Sequence, residues 1–232
     1  MIYSITRILS NAIVRRLNTN DSVTATLNNA FIMNLPYSAA AEQNRTVICE
    51  QLKAELKPGD RVLEIGSGTG QHVSYFAQQF PEVSWQPSDI ASVIPFIDQR
   101  VAQAAASNVL SAVALDVRDQ PWAVSEADVV YSANTLHIMS AASCECLIRG
   151  CAAVLPQGGR LCVYGPFSVD GHHTSESNHR FDQMLKAQDP ASGVRDLTEL
   201  DRIAVAAGFS LSRRTAMPAN NLFVVWDKTS DQ

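Results

Sequence analysis

Apolar residues follow two different spacings along the chain, and the spacing changes repeatedly between residues 39 and 226. Runs that are continuously apolar, or that alternate with polar residues, are typical of strands, whereas apolar residues three or four positions apart are typical of helices. The predicted strands are Arg61–Ile65, Val83–Gln86, Ser111–Leu115, Ala127–Ser132, Arg160–Tyr164, Phe209–Thr215 and Asn221–Trp226. The predicted helices are Ala39–Leu56, Gln71–Gln79, Ile94–Ala106, Ala141–Val154 and Asp196–Ala207.

This alternation predicts an α/β domain with a doubly wound, three-layer arrangement, in which helices cover both faces of a mostly parallel sheet of seven strands. No helix is predicted between the last two strands. We therefore expect them to pair as an antiparallel C-terminal hairpin at one edge of the sheet.

The first 32 residues have a different composition from the rest. They contain Arg7, Arg15 and Arg16 against a single acid, Asp21, and then become rich in Asn and Thr. Basic, acid-poor N-terminal segments are typical of targeting peptides, while an accessory helix or a flexible extension accounts for the same composition. We therefore interpret residues 1–32 as an N-terminal extension, which is a targeting segment, an accessory helix or a flexible stretch, and residues 33–232 as the α/β domain.

The overall composition limits the class of protein. A chain of 232 residues with 46% hydrophobic residues can bury a large core, which excludes a wholly disordered protein. The net charge of -5 and the pI of about 5.5 argue against nucleic acid as the main partner, because such proteins usually carry a basic surface. No apolar run approaches the roughly 18 residues that span a membrane, so no membrane contact is predicted.

The cysteines indicate a reducing environment. There are five, an odd number, and they lie in apolar segments, which is not typical of a disulfide framework. Cys144 and Cys146 stand two apart without a second pair of ligands at zinc spacing. The cysteines therefore favour a cytoplasmic protein, and no metal site is predicted.

Three glycines at alternate positions directly follow the first predicted strand. Gly66, Gly68 and Gly70 allow a sharp turn and let a ligand approach the backbone without obstruction by a Cβ atom. The next helix presents free N–H groups, which suit an anionic group. The dinucleotide pattern G-x-G-x-x-G is excluded because Gln71 stands in place of the third glycine, and no Gly-Lys-Ser/Thr of a P-loop follows.

The segment Glu64-x-Gly66-x-Gly68-x-Gly70 resembles motif I of the class I S-adenosylmethionine-dependent methyltransferases. The resemblance implies a Rossmann-like methyltransferase fold, with S-adenosylmethionine as cofactor and S-adenosylhomocysteine as product. In that family an acid at the end of the second strand receives the ribose hydroxyls. Asp89, 19 residues after Gly70, stands at that place, and a carboxylate can accept two hydroxyl hydrogen bonds at once.

The same resemblance implies roles for further residues. Asp116, after the third strand, is the candidate acceptor for the adenine amino group; Asp119 is a nearby alternative, or else either residue caps a turn. Asn134, after the fourth strand, is expected at the methionine ammonium or at the acceptor, and Glu64 either orients the loop or reaches that ammonium. The predicted cofactor-binding residues are Glu64, Gly66, Ser67, Gly68, Gly70, Asp89, Ile90, Asp116, Val117 and Asn134.

A narrower resemblance covers nearly all of residues 34–226. The strings PYSAAAEQNR (36–45), GPF (165–167), TSESN (174–178), GVRDL (193–197) and MPANN (217–221) are similar to an uncharacterised methyltransferase-like family. That family implies the same fold and cofactor and no particular substrate.

The candidate catalytic residues are His137, Tyr37 and Asn134. His137, after the fourth strand, is the candidate general base, or else a structural histidine that caps the next helix. Tyr37 precedes the first helix and is expected to shield the sulfonium or meet the acceptor, or else to be a packed aromatic. The candidate residues for acceptor binding are Arg45, Phe167, His172, Arg195 and Asn220. The two arginines in that set suit an anionic acceptor.

Together these features favour an enzyme that transfers a methyl group to an O, N, S or C atom of a small molecule. The Asn-Pro-Pro-Tyr motif of nucleic-acid amino methyltransferases is replaced by Asn134-Thr135-Leu136-His137, which also favours a small acceptor. The alternatives are a protein or RNA methyltransferase and a non-catalytic cofactor-binding scaffold or regulator. A monomer and a homodimer are both compatible with the sequence.

Overall fold

Helices and strands alternate through residues 35–229, the part of the chain that the computed structural model describes. The helices are α1 (Ala39–Leu52), α2 (Gln71–Gln79), α3 (Ile94–Ala104), α4 (Ala141–Val154), α5 (Glu176–Gln188) and α6 (Leu197–Ala206). The strands are β1 (Arg61–Ile65), β2 (Ser84–Asp89), β3 (Val113–Ala114), β4 (Val129–Ala133), β5 (Arg160–Gly165), β6 (Phe167–Val169), β7 (His172–His173), β8 (Arg195–Asp196), β9 (Phe209–Met217) and β10 (Asn221–Lys228). Within these residues, no helix combines the length and the apolar character that crossing a membrane requires.

Seven of the strands form one sheet in the order β3-β2-β1-β4-β5-β10-β9. The first five run parallel to one another, and β10 runs antiparallel to both β5 and β9. This arrangement confirms the predicted mostly parallel sheet and its C-terminal hairpin. The direction of winding reverses between β1 and β4, and open sheets of this type bind ligands at the carboxyl ends of the strands where that reversal occurs.

Helices cover both faces of the sheet, which confirms the three-layer prediction. Successive residues of a strand point to opposite faces. On one face, Leu63 and Val130 lie in an apolar cluster with side chains of α4 and α6. On the other face, Val62 and Val129 lie in a cluster with side chains of α1 and α2.

Two predicted boundaries were wrong in ways that bear on the site. Helix α1 ends at Leu52 rather than Leu56, and in the turn that follows it Glu55 pairs with Arg213, with 2.7 Å between the carboxylate and the guanidinium. Strand β2 continues through Pro87 to Asp89, whereas the prediction ended at Gln86. Asp89 is therefore the last residue of the strand and is held by its pairing with β3.

The prediction missed all regular structure between residues 167 and 196. This segment contains a small sheet in the order β7-β6-β8 and the helix α5. The three strands are only two or three residues long, too short for a detectable alternation of apolar and polar residues. This segment follows β5 directly and therefore lies beyond the carboxyl end of that strand.

Candidate functional site

A cavity of about 150 Å³ lies where the winding of the sheet reverses. The glycine loop, the residues after β2, the end of β4 and the start of α1 surround it. The lining residues are Pro36, Ser38, Ala41, Gly66, Ser67, Gly68, Thr69, His72, Ile90, Ser92, Val93, Phe96, Ala133 and Asn134. We call this the first cavity.

The glycine loop requires glycine for two different reasons. Gly66, Gly68 and Gly70 all have positive φ angles, of 76°, 55° and 72°, which other residues adopt only with strain. A Cβ atom on Gly66 would also lie 2.5 Å from the Oγ1 atom of Thr135. At Gly68 a Cβ atom would meet only a carbonyl oxygen at 4.0 Å, so the loop leaves open space at this position.

Asp89 joins the end of β2 to the glycine loop. Its Oδ2 atom accepts a hydrogen bond from the backbone N–H of Gly68 at 2.8 Å, and its Oδ1 atom accepts one from the N–H of Ile90 at 2.8 Å. Burial raises the pKa of this carboxyl, while the two N–H donors oppose the increase. The structure thus brings the predicted ribose acid into contact with two backbone groups of the cavity lining.

Glu64 lies beneath the loop and is almost completely buried, at 2% exposure. Burial raises its pKa to about 7; a hydrogen bond with Ser67 opposes the increase, and the charge of Asp89 adds to it. Its Oε2 atom has no hydrogen-bond partner within the described residues. Buried polar atoms are rarely left without a partner, so this oxygen is unusual; Glu64 itself is not among the residues that line the first cavity.

His72, which the sequence analysis did not identify, lines the first cavity. Its Nε2 atom lies 2.7 Å from the Oδ1 atom of Asn44, and its Nδ1 atom lies 3.3 Å from the hydroxyl of Tyr131. Burial lowers its pKa to about 4, so the ring is neutral at pH 7. The sequence contained one indication that His72 lies near the site: it stands two residues after the last glycine of the loop and therefore in the first turn of α2.

Asp116 and Val117 do not belong to the lining of the first cavity. Both oxygens of Asp116 bind the guanidinium of Arg118, and these hydrogen bonds lower the pKa of the carboxyl to about 2. Val117 is buried, and its carbonyl oxygen accepts a hydrogen bond from the indole of Trp122 at 3.3 Å. Their predicted contact with adenine stays a prediction.

The structure separates the two catalytic candidates that follow β4. Asn134 lines the first cavity and has a φ angle of 56°, a conformation that asparagine tolerates better than most residues. His137 is 7% exposed and lies edge-to-face against Phe181, with 5.1 Å between the ring centroids. Burial lowers the pKa of His137 to about 4, with a further contribution from the charge of Arg195.

Tyr37 and Arg45 line a second cavity of about 320 Å³ between α1, α2 and α3. Arg45 forms an ion pair with Glu42 at 2.6 Å, and its guanidinium lies 4.6 Å from the centre of the Tyr75 ring. The structure therefore does not place these two predicted site residues with the glycine loop.

The other candidate acceptor residues lie in or near the segment that follows β5. Phe167 is buried in the core, and His172 is exposed. Arg195 donates to the carbonyl oxygens of Gly193 and Ala191. The side chain of Asn220 donates to the hydroxyl of Ser177 at 3.0 Å. None of these four lines either of the two cavities, and their contact with an acceptor stays a prediction.

Within residues 35–229, no group of three or more His, Cys, Asp or Glu side chains is arranged to hold a metal ion. The described residues that line the first cavity are small, apolar or neutral. Asp89 and Glu64 adjoin this lining without being part of it, and the guanidinium of Arg100 donates to the carbonyl oxygens of two lining residues, Thr69 and Pro36.

Comparison with known proteins finds several methyltransferases that this chain resembles in sequence or in fold. Caffeic acid 3-O-methyltransferase from Capsicum annuum is 24% identical over 156 residues, which are 66% of this chain and 41% of that protein. The S-adenosylmethionine-dependent methyltransferase SibL, solved in its apo form, has a TM-score of 0.70 at 21% identity over 83% of this chain and 56% of its own. Human N-acetylserotonin methyltransferase, solved in complex with S-adenosylmethionine, has a TM-score of 0.70 at 16% identity over 82% of this chain and 53% of its own.

This chain thus spans about half the length of the relatives that it resembles. The structural likeness shows the fold of the class I methyltransferases. A family model described as "Protein of unknown function (DUF938)" matches residues 35–228, which are most of the chain. The chain therefore belongs to the DUF938 family. The domain that the family model matches has a Rossmann-like methyltransferase fold in this chain.

Proposed function

We propose that this chain is an S-adenosylmethionine-dependent methyltransferase that acts on a small molecule by in-line methyl transfer. The observation that carries the proposal is the contact of Asp89 with the glycine loop at the reversal point of the sheet. Each carboxylate oxygen of Asp89 accepts one backbone N–H and retains a further lone pair for a hydroxyl donor. Two such lone pairs on one rigid carboxylate suit the neighbouring hydroxyls of a ribose.

Other residues in and beside the first cavity fit the other parts of this cofactor. The open space at Gly68 lets a ligand lie against the loop, and Ile90, which is 48% exposed, offers an apolar surface beside Asp89 for a base. The unpartnered oxygen of Glu64 could accept a donor from the amino-acid part. We therefore assign the first cavity to S-adenosylmethionine.

The cofactor supplies a methyl group that its sulfonium already activates. The residues of the chain must align the acceptor with it and exclude water. Asn134 lies in the cavity wall, where its amide can orient the acceptor. We propose His137, three residues after Asn134 at the carboxyl end of β4, as the base for a hydroxyl acceptor. Burial lowers the pKa of its ring to about 4, so the ring is neutral at pH 7 and a weaker base than a free imidazole.

The proposal of a small acceptor rests on two observations. The chain has a net charge of -5, which does not favour a nucleic acid. The names of the relatives refer to small acceptors, caffeic acid and N-acetylserotonin. We also propose a cytoplasmic location, because all five cysteines are free and four of them are buried.

The proposal is tested by calorimetric titration of the full chain with S-adenosylmethionine and S-adenosylhomocysteine. We expect Asp89→Asn to weaken both affinities by about tenfold or more, because the variant loses charge-assisted hydrogen bonds worth about 1.5–3 kcal/mol each. The matched control is Asp98→Asn, since Asp98 also binds a backbone N–H, but that of Ala112, which is not one of the residues that line the cavity.

Absence of binding by folded wild-type protein would refute the assignment of the cofactor. Equal affinities for the wild type and Asp89→Asn would refute the role of Asp89. If the cofactor binds, transfer of a labelled methyl group to a panel of hydroxyl compounds tests the proposed reaction.

A further inference from the structure

The second cavity has a polar lining that the proposed reaction does not use. Three helices contribute to it, and Tyr37 completes it. The lining residues are Tyr37, Glu42, Arg45, Gln71, Ser74, Tyr75, Gln78, Arg100, Gln103 and Ala104. The α2 residues in this set are at positions 71, 74, 75 and 78; residues 74 and 75 are each three or four positions from 71 and 78, so all four share one face of the helix.

The charge of this cavity is not balanced. Arg45 forms an ion pair with Glu42, but Arg100 has no carboxylate partner within the described residues. Burial lowers the pKa of Arg100, and the charge of Glu42 opposes the decrease. The lining thus contains two guanidinium groups and one carboxylate, in a partly desolvated site. Guanidinium groups of this kind bind carboxylates and phosphates well.

A buried hydroxyl in the same wall also lacks a partner. Ser74 is 8% exposed, and its Oγ atom has no hydrogen-bond partner within residues 35–229. A helical serine commonly bonds to a carbonyl of its own helix, and buried hydroxyls are rarely left unpaired. The free hydroxyl is therefore an independent indication that a ligand with hydrogen-bonding atoms belongs in this cavity.

Two side chains form a partition between the first and second cavities. Arg100 donates through Nε to the carbonyl oxygen of Thr69 and through a terminal nitrogen to that of Pro36, each at 2.5 Å. The Oε1 atom of Gln71 accepts from the N–H of Ser38 at 2.6 Å and from the hydroxyl of Thr69 at 2.9 Å. Pro36, Ser38 and Thr69 all line the first cavity. Any ligand that contacts Arg100 or Gln71 therefore contacts a side chain that is hydrogen-bonded to the wall of the first cavity.

We propose that the second cavity binds a small oxyanion, a carboxylate or a phosphate, and that its binding strengthens ligand binding in the first cavity. The anion balances the charge of Arg45 and Arg100 and accepts a hydrogen bond from the hydroxyl of Ser74. It thereby holds the partition in the arrangement that supports the glycine loop. The proposed anion site depends only on the second cavity. The proposed coupling between the two cavities also rests on the proposed function.

The anion site is tested without any cofactor, by NMR titration of the ¹⁵N-labelled full chain. The probes are inorganic phosphate and, in a separate titration, succinate, both at constant ionic strength maintained with chloride. We expect saturable shifts of the side-chain amide signals of Gln71, Gln78 and Gln103 with at least one probe. The probe that binds distinguishes a phosphate from a carboxylate ligand.

Two variants and one control locate the binding. Arg45→Gln is expected to weaken the affinity for the probe by about tenfold, the effect of one charge-assisted hydrogen bond. Ser74→Ala tests the second contact in case Arg45→Gln does not fold. Arg202→Gln is the control, because Arg202 forms a similar helical pair with Glu199 at 3.2 Å but lies outside the second cavity. Absence of saturable shifts with both probes, or equal affinity in both variants and the control, would overturn the anion site.

The coupling is tested by titrating S-adenosylhomocysteine in the absence and presence of the saturating probe. We expect its affinity to rise by about fivefold or more, within the range of known couplings between sites. An unchanged affinity would overturn the coupling and leave the anion site in place. If S-adenosylhomocysteine does not bind at all, the proposed function and the coupling fail together, while the NMR titration still decides the anion site.

Discussion

At the scale of single residues, Glu64 links the stability of the protein to pH. Burial raises its pKa from 4.5 to about 7, so the folded protein retains a proton that the unfolded chain releases between these values. The stability that this proton provides is complete below pH 4.5 and is lost as the pH rises to about 7. We therefore expect Glu64→Gln, which cannot ionise, to gain stability over the wild type across this interval, by about 3 kcal/mol in total.

The measurement is the free energy of unfolding in urea at pH 4 and pH 8. The variant must be compared with the wild type at each pH, because His72 and His137 make the free energy of unfolding depend on pH in the opposite direction. Burial lowers the pKa of both rings to about 4, so their contribution is complete above pH 6.5 and is lost as the pH falls through about 4. Glu82→Gln, on an exposed turn, is the control. A difference between Glu64→Gln and wild type that is the same at pH 4 and pH 8 would contradict the prediction.

The residues of the first cavity differ in how far the sequence could identify them. Gly66, Gly68 and Asp89 were identified because backbone conformation and ligand chemistry restrict those positions to few residue types. His72 and Ser38 carried no such restriction, since a histidine in a helix or a serine before one is common in any protein. Their place in the cavity depends on how α1 and α2 pack together, which a single sequence does not express.

At the scale of secondary-structure elements, helix α4 has a glycine in its interior because a larger residue at that position would clash with a neighbouring side chain. A Cβ atom on Gly150 would lie 2.0 Å from the indole of Trp122, which packs against the helix. Alanine is intrinsically better than glycine in a helix by roughly 0.5–1 kcal/mol. We nevertheless expect Gly150→Ala to destabilise the protein by about 1–3 kcal/mol, the usual cost of overpacking a core.

The cause is tested in a double-mutant cycle with Trp122→Leu. The smaller side chain removes the clash, so the cost of Gly150→Ala should shrink or change sign in that background. The measurements are urea unfolding of the four proteins and the tryptophan fluorescence of the Gly150→Ala variant. An equal cost of Gly150→Ala in both backgrounds would show that Trp122 is not responsible.

Helix α4 was predicted with the bounds that the structure shows, whereas α5 was missed entirely. The reason lies in what each helix buries. Helix α4 buries an apolar stripe that includes Leu147 and Ile148, and this produces a clear helical period. Helix α5 buries Asn178, Asp182 and Leu185, and polar bonds hold it: Asp182 accepts from the N–H of Val194 at 2.8 Å. An element held by polar contacts with a distant segment leaves no apolar pattern in its own sequence.

At the scale of the whole molecule, the topology was predictable because a few rules act together. Alternating strands and helices require parallel pairing, and the absence of a helix between β9 and β10 allows only a hairpin. The partition between the two cavities was not predictable in this way. It depends on contacts between residues 64 positions apart, such as Arg100 with Pro36, which no periodicity encodes.

The distribution of the core also leads to a prediction about the first 32 residues. Among the described residues, the two apolar clusters extend from Ile48 to Trp226, and the family match begins at residue 35. We therefore expect a chain shortened to residues 33–232 to unfold within about 3 °C of the full chain, a difference of about 1 kcal/mol or less for a domain of this size.

The matched truncation removes residues 220–232, and with them β10, at the other end of the chain. This strand lies between β5 and β9 and buries Phe223, Val224 and Trp226, so its loss should abolish cooperative unfolding. Thermal unfolding followed by circular dichroism compares the two truncations with the full chain. A large loss of stability in the 33–232 chain would mean that the extension belongs to the folded domain, and the boundary at residue 33 would then be wrong.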